Sequence, residues 1–194
     1  QDFKLPAASQ RVQVIRASDG ALITERFTTK IPVTNGTAQP DIRRDILKMT
    51  VVNRYTDAPP ALAFIHGFGL RRGAIASCVG HDSHNIIAVG TDDEDLCRAV
   101  NAVIAHQGGI AAVAGDQVLV LPLPVAGIMT HEDGYVVAKK YAEIDKFVKN
   151  ELGSQLSAPF MTLSFMALLV IPELKLSDKG LFDGKAFQFA DLFV

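Results

Sequence analysis

A run of five consecutive polar residues concentrates more chemistry than any other part of this chain. Their side chains are of types that bind metal ions, transfer protons or form hydrogen bonds to polar substrates. They interrupt apolar sequence, with residues 73–79 before them and residues 86–90 after them. A short loop between two buried strands can present such groups in a fixed geometry. This segment, called the 81–85 loop below, consists of His81, Asp82, Ser83, His84 and Asn85.

Residue types alone leave three interpretations of the 81–85 loop open. In a metal site, His81, Asp82 and His84 would be the ligands, although two histidines three positions apart in a loop need not point the same way. In a substrate-facing loop, all five side chains would be available to a polar ligand. In a structural turn, the short side chains would accept hydrogen bonds from nearby backbone N–H groups.

Strand and helix patterns alternate around the loop. A capping box at residues 91–94 predicts that a helix begins there and ends before Gly108. Apolar residues at helical spacing predict a longer amphipathic helix over residues 132–152 and a shorter one over residues 162–169. Apolar runs bounded by turn residues predict strands at residues 46–52, 61–65, 73–79, 86–90, 110–113 and 118–121.

The order of these elements predicts the fold class. Strands and helices are interspersed, but turn signals between consecutive strands are frequent, which favours hairpins over parallel crossovers. We therefore expect an α+β fold, in which a mixed, largely antiparallel β-sheet packs against a few helices.

The chain divides into two predicted parts. Residues 1–44 are expected to form a hairpin and linker that lead into the domain, and residues 45–194 to form the domain itself. The turn signal Ser-Asp-Gly at residues 18–20 predicts a hairpin whose second strand includes residues 21–23. Because the first residue is Gln1 instead of Met, we interpret the chain as a piece of a longer polypeptide.

The composition argues against several classes of protein. The net charge of −2 comes from 19 basic and 21 acidic residues spread along the chain, so no basic surface for nucleic acid is expected. The longest apolar stretch, near residues 160–171, is shorter than the roughly 20 residues that span a bilayer, so no membrane partner is expected. The two cysteines lie in apolar patterns, which suits reduced thiols and a cytoplasmic location.

Five blocks of the sequence resemble the C-terminal region of bacterial adenine deaminases, which belong to the amidohydrolase superfamily. They occur in the same order as in that family and span much of the predicted domain. The blocks are residues 67–77, 81–90, 92–95, 121–129 and 172–182.

The resemblance implies a parent enzyme that hydrolyses adenine to hypoxanthine and ammonia. In that family a barrel domain that precedes this region carries the chemistry, with a divalent metal (Mn or Fe) and a His-x-His pair among its ligands. This sequence has no His-x-His pair. Its 194 residues are also too few for a complete barrel, which takes at least about 200 residues by itself. The implied partners are the enzyme's own N-terminal barrel, adenine, and other copies of the chain in a homo-oligomer. No cofactor is expected on this domain alone, and the isolated chain is expected to be inactive.

The resemblance leads to a hypothesis for the 81–85 loop, with two alternatives. We expect the loop to cover the mouth of the barrel, where its donors and acceptors suit the polar edge of a purine. The first alternative is a purely structural or oligomerisation module, in which the loop has no contact with substrate. The second is an independent small metal-binding protein that uses His81, Asp82 and His84.

Overall fold

The computed structural model describes residues 3–194, so the first two residues of the predicted N-terminal region lie outside it. Eight strands form one sheet in the order β10-β9-β7-β8-β5-β6-β1-β2. These strands are β1 (Arg11–Arg16), β2 (Glu25–Lys30), β5 (Leu47–Val52), β6 (Ala61–His66), β7 (Ala74–Ser77), β8 (Ile86–Gly90), β9 (Gly109–Ala114) and β10 (Gln117–Pro122). The remaining elements are β3 (Val33–Thr34), β4 (Thr37–Ala38), a 3-10 turn (Ile42–Arg44), α1 (Asp93–Ala105), α2 (Gly134–Asn150), α3 (Pro159–Phe165), β11 (Leu174–Ser177), β12 (Gly180–Asp183) and β13 (Gln188–Phe189).

Neighbouring strands of the large sheet are antiparallel, except that β1 and β6 run parallel. Strands β11, β12 and β13 form a separate three-stranded antiparallel sheet. The predicted α+β fold with a mixed, largely antiparallel sheet is therefore confirmed.

The large sheet is buried on both faces, because alternate residues of its central strands enter two different cores. On β7, Ala74 and Ala76 belong to a core with α1, whereas Ile75 belongs to a core with α2, α3 and β11. On β9, Ala111 and Ala112 divide in the same way. Two buried faces explain why these strands read as nearly continuous apolar runs.

The predicted helices exist, but their starts differ from the sequence patterns. Helix α1 begins at Asp93 because the Asp92 side chain, one residue after the start of the capping box, accepts a hydrogen bond from Asp95 N at 2.8 Å. Helix α3 covers Pro159–Phe165 instead of residues 162–169, since proline fits the first turn of a helix. Within residues 3–194, none of the helices combines the length and apolar character needed to cross a bilayer.

The N-terminal residues supply two strands of the large sheet. Strand β1 lies between β6 and β2 and hydrogen-bonds to both. The predicted second arm of the hairpin, residues 21–23, is wrong: that segment is a loop, and the arm is β2. Its sequence, Glu-Arg-Phe-Thr-Thr-Lys, lacks a clear apolar pattern because β2 is an edge strand with several exposed side chains.

A fully buried lysine joins the sheet to α1. The Lys48 side chain, on β5, is 0% exposed and forms an ion pair with Asp93 at the start of the helix. Its ammonium group also donates to the Phe3 carbonyl oxygen at 3.1 Å. A buried cation requires such partners, because removal from water is costly when its charge is not compensated. The pair therefore fixes α1 and the N-terminal segment relative to the centre of the sheet.

We expect Asp93→Ala to lower the free energy of unfolding by about 2–3 kcal/mol, because it leaves the Lys48 charge buried without its counterion. This expected loss in the free energy of unfolding is smaller than that for a fully buried ion pair, since the Asp93 side chain is 30% exposed. Urea denaturation of the 194-residue chain measures the change. The matched control is Asp116→Ala, which removes a fully exposed carboxylate from its ion pair with Arg98 and should cost less than about 0.5 kcal/mol. Equal losses in the two variants would contradict this role for the buried pair.

Candidate functional site

The 81–85 loop lies at one end of the large sheet, where the register of the strands brings several connections together. Val52, the last residue of β5, pairs with Ile86, the first residue of β8. In the next pair of strands, Ser77 at the end of β7 lies opposite Ile87. The loop that follows β5 and the loop between β7 and β8 therefore emerge side by side.

The connections on either side of β9 reach the same end of the sheet. Ser77 also pairs with Ile110 near the start of β9, and Gly109 pairs with Pro122 at the end of β10. The segments that precede β9 and follow β10 are thus neighbours of the 81–85 loop. This end of the sheet is the candidate functional site.

The first three residues of the loop expose their side chains. The His81 ring stacks on Phe165 of α3, with ring centroids 3.8 Å apart and planes inclined by 18°. Asp82 is exposed and has no hydrogen bond or ion pair with any residue in the described range 3–194. Ser83 is also exposed, while its carbonyl oxygen accepts a 2.6 Å hydrogen bond from the Tyr55 hydroxyl.

The last two residues of the loop point inward and support its backbone. His84 has a φ of 56°, in the left-handed region, and its Nδ1 accepts a hydrogen bond from Gly80 N at 3.3 Å. Asn85 is only 3% exposed, and its Oδ1 accepts a hydrogen bond from Arg54 N at 3.2 Å. The loop therefore divides into a supporting half and an outward-facing half.

The metal-site interpretation has no geometric support. No three His, Cys, Asp or Glu side chains of residues 3–194 are placed so that together they could hold a metal ion. In the loop itself, His81 lies against Phe165, and His84 uses Nδ1 for a backbone N–H group. Within residues 3–194, His81, Asp82 and His84 are therefore not arranged as the ligands of one metal ion.

Residues 53–55 are neighbours of the 81–85 loop that the sequence patterns did not single out. Asn53 Oδ1 accepts hydrogen bonds from Tyr55 N at 2.8 Å and Thr56 N at 3.0 Å, which forms a compact turn after β5. Asn53 Nδ2 donates to Asp178 at 2.8 Å and so ties this turn to the small sheet. The polar run directly after a predicted strand was the available signal, but its contact with the 81–85 loop depends on the pairing of β5 with β8.

Two cavities flank the site, one against each face of the sheet. One, of about 590 Å³, lies beside the end of α1 and is lined by Arg54, Tyr55, Cys78, Ile104 and Gln107 among others. The other, of about 440 Å³, lies beside α2 and α3 and is lined mainly by apolar side chains, together with His81, Ser77 and Ser164. The residues that lead into the 81–85 loop contribute to both cavities.

Cys78 lies at the base of the larger cavity with its thiol in the interior. The Sγ atom donates to the Gly127 carbonyl oxygen at 2.7 Å and accepts from Gly109 N at 3.1 Å. Burial raises the pKa of this thiol, which opposes formation of the nucleophilic thiolate. Neither cysteine forms a disulfide bond within residues 3–194, and the contacts of Cys78 join the end of β7 to the segments around β9.

Comparisons with known proteins agree along almost the entire chain. The family model described as the adenine deaminase C-terminal domain matches residues 21–188. A protein of Salinibacter ruber named adenine deaminase is 55% identical over 195 residues, which cover 100% of this chain and 35% of that protein. One of the same name from a Sulfurovum species is 56% identical over 179 residues, covering 92% of this chain and 32% of that protein.

A third relative comes from an archaeon. The protein named adenine deaminase from Methanosarcina barkeri is 50% identical over 184 residues, covering 95% of this chain and 33% of that protein. The chain thus spans about a third of the length of these relatives. The family match and the identities together show that this chain belongs to the adenine deaminase C-terminal domain family.

Proposed function

We propose that this chain acts as the C-terminal domain of an enzyme that hydrolyses adenine to hypoxanthine and ammonia. The observation that carries the proposal is the 55% identity along the whole chain to a protein about three times as long that is named adenine deaminase. In this proposal the domain packs on the N-terminal catalytic part of its parent enzyme. A cytoplasmic location and a homo-oligomeric assembly are further parts of the same proposal.

The divalent metal of the parent enzyme, Mn or Fe in this proposal, belongs to the catalytic part and not to this domain. The support is that no group of residues in the described range 3–194 suits a metal ion. The contribution of this domain is instead to enclose the substrate and to supply polar contacts from the 81–85 loop.

The difference between the supporting half and the outward-facing half of the loop supports this role. Asn85 and the Tyr55 hydroxyl fix the backbone by hydrogen bonds at 3.2 Å and 2.6 Å, so the tip is held in one geometry. The side chains of Asp82 and Ser83 are free to meet a partner placed over this end of the sheet. A carboxylate accepts from an amino group or ring N–H, such as those of adenine, and exclusion of bulk water strengthens such contacts.

A structural or docking module is the alternative function. It is favoured by the exposed apolar side chains that line the smaller cavity, namely Tyr141 and Met161. Exposed apolar groups of this kind suit a protein interface. In that case the loop would support the domain's shape without contact with adenine.

We expect Asp82→Ala in the full-length parent enzyme to reduce kcat/KM for adenine about tenfold or more, the effect of losing one charge-assisted hydrogen bond. Steady-state assays of ammonia release measure it. Asp116→Ala is the matched control, because this carboxylate is also exposed and lies in the β9–β10 turn at the opposite end of the sheet. Unchanged kinetics in Asp82→Ala would reject a substrate-facing loop and favour the docking module.

The supporting half of the loop should behave differently from its tip. Asn85→Ala is expected to lower the free energy of unfolding of the 194-residue chain by about 1–2 kcal/mol, because it leaves Arg54 N without its acceptor. Asp82→Ala should change it by less than about 0.5 kcal/mol, since this side chain is exposed. Chemical denaturation tests both, and equal effects would show that the loop is not divided as proposed.

The isolated chain is expected to be inactive on adenine, because the catalytic groups belong to the other part of the parent enzyme. A sensitive ammonia assay on the 194-residue chain, purified without any full-length enzyme in the host, provides the measurement. Turnover that persists through purification would contradict this division of chemistry between the two parts.

A further inference from the structure

The larger cavity has the size and walls of a small-molecule site. Its volume of about 590 Å³ lies within the range of roughly 300–1,000 Å³ that is typical of ligand pockets. Val103 and Ile104 of α1 and Ile86 of β8 line it with apolar groups. Such walls suit the faces of a flat organic molecule, whereas an inorganic ion gains nothing from them.

Arg54 is held in this cavity with its guanidinium group fixed. The group lies 4.9 Å from the centre of the Tyr55 ring, and Nη2 donates to the Tyr55 hydroxyl at 3.1 Å. On the other side, Nη1 lies directly against Gly127, where an added Cβ atom would be 1.8 Å from it. Gly127 also has a φ of 82°, a conformation that favours glycine.

Within the part of the chain that the structure describes, Arg54 has no acidic partner, and its guanidinium keeps hydrogen-bonding capacity beyond the bond to the Tyr55 hydroxyl. No carboxylate among residues 3–194 forms an ion pair with it, and Nε is buried without an acceptor. The cavity lining contains neither Asp nor Glu. A guanidinium in such surroundings favours a ligand that brings acceptors or negative charge.

The rim of the cavity contributes one further polar side chain. Gln107 lines the cavity just after α1, and its φ of 59° ends that helix through hydrogen bonds from Gln107 N to Ile104 O and from Gly108 N to Val103 O. The Gln107 carboxamide makes no hydrogen bond to any described residue, so both its donor and its acceptor are available to a ligand.

We propose that this cavity binds a planar ligand that presents two adjacent hydrogen-bond acceptors to Arg54. Two sources share that chemistry: the O6/N7 edge of a 6-oxopurine, and the carboxylate of an aromatic acid. Adenine lacks it, because its amino group would place a donor against the N–H groups of the guanidinium. The choice of a 6-oxopurine as one source rests on the proposed function, of which hypoxanthine is the product.

Isothermal titration of the 194-residue chain with four probes tests the proposal. Hypoxanthine or benzoate should bind with a dissociation constant below about 1 mM. The probe that binds more tightly shows whether the ligand is a 6-oxopurine or an aromatic acid. Adenine and inorganic phosphate should each bind at least about tenfold more weakly than that probe, since adenine lacks the acceptor pair and phosphate lacks the flat body.

Substitution of Arg54 links binding to the cavity. Arg54→Met should weaken binding of the stronger probe at least about tenfold, and Arg54→Lys should also weaken it, because lysine keeps the charge but lacks the planar fork. The control is Arg72→Met, which alters an exposed arginine that precedes β7 at the opposite end of the sheet. Circular dichroism shows which variants fold, and Arg54→Lys serves if Arg54→Met does not.

The proposal is overturned if neither planar probe binds, if adenine or phosphate binds as well as the stronger planar probe, or if the folded Arg54 variant binds like the control. These outcomes are independent of the kinetic test of Asp82, which uses the parent enzyme and a different side chain. Failure of one proposal is therefore distinguishable from failure of the other.

Discussion

The antiparallel register of β5, β8 and β7 is the constraint on which the candidate site depends. A shift of one residue in either pairing would exchange the residues that face the two cores. Such a shift is opposed on both faces, because Ala88 packs toward α1 and Val89 toward the opposite core. Gly90 fits the same register, since a Cβ there would lie 2.9 Å from the Cβ of Ala74. The positions of the loops at the end of the sheet thus follow from side-chain packing along the strands.

The candidate site combines a rigid base with an open tip. Asn85 is buried and the Tyr55 hydroxyl donates to the Ser83 carbonyl oxygen, while the Asp82 side chain forms no hydrogen bond or ion pair with residues 3–194. The stacking of His81 on Phe165 adds a contact with α3. Because the segment leading into the loop lines a cavity on each face of the sheet, a ligand in either cavity meets residues continuous with the same loop.

The sequence predicted most where a pattern is local. Strand β8 lies where predicted, and helix α1 begins inside the predicted capping box, because an apolar run and an Asp-rich first turn determine these elements locally. Strand β2 was misplaced, since an edge strand has no apolar periodicity to detect. The contacts of Arg54 with Asn85 and with Gly127 were not predictable from the sequence. They join residues 31 or more positions apart, which the sheet register brings together.

The parallel strand β1 has a consequence for how the domain folds. One edge of β1 is shared between β6 and the last residues of the sequence. Val14 to Arg16 pair with β6. Val12 forms a bridge with Phe193, and Val194 N donates to the Arg11 carbonyl oxygen at 3.0 Å. Contacts between such distant parts of a chain carry a large loop-closure entropy, so they form late and slow the folding reaction. Strand β1 and residues 192–194 therefore reach their final positions only when two segments far apart in the sequence have met.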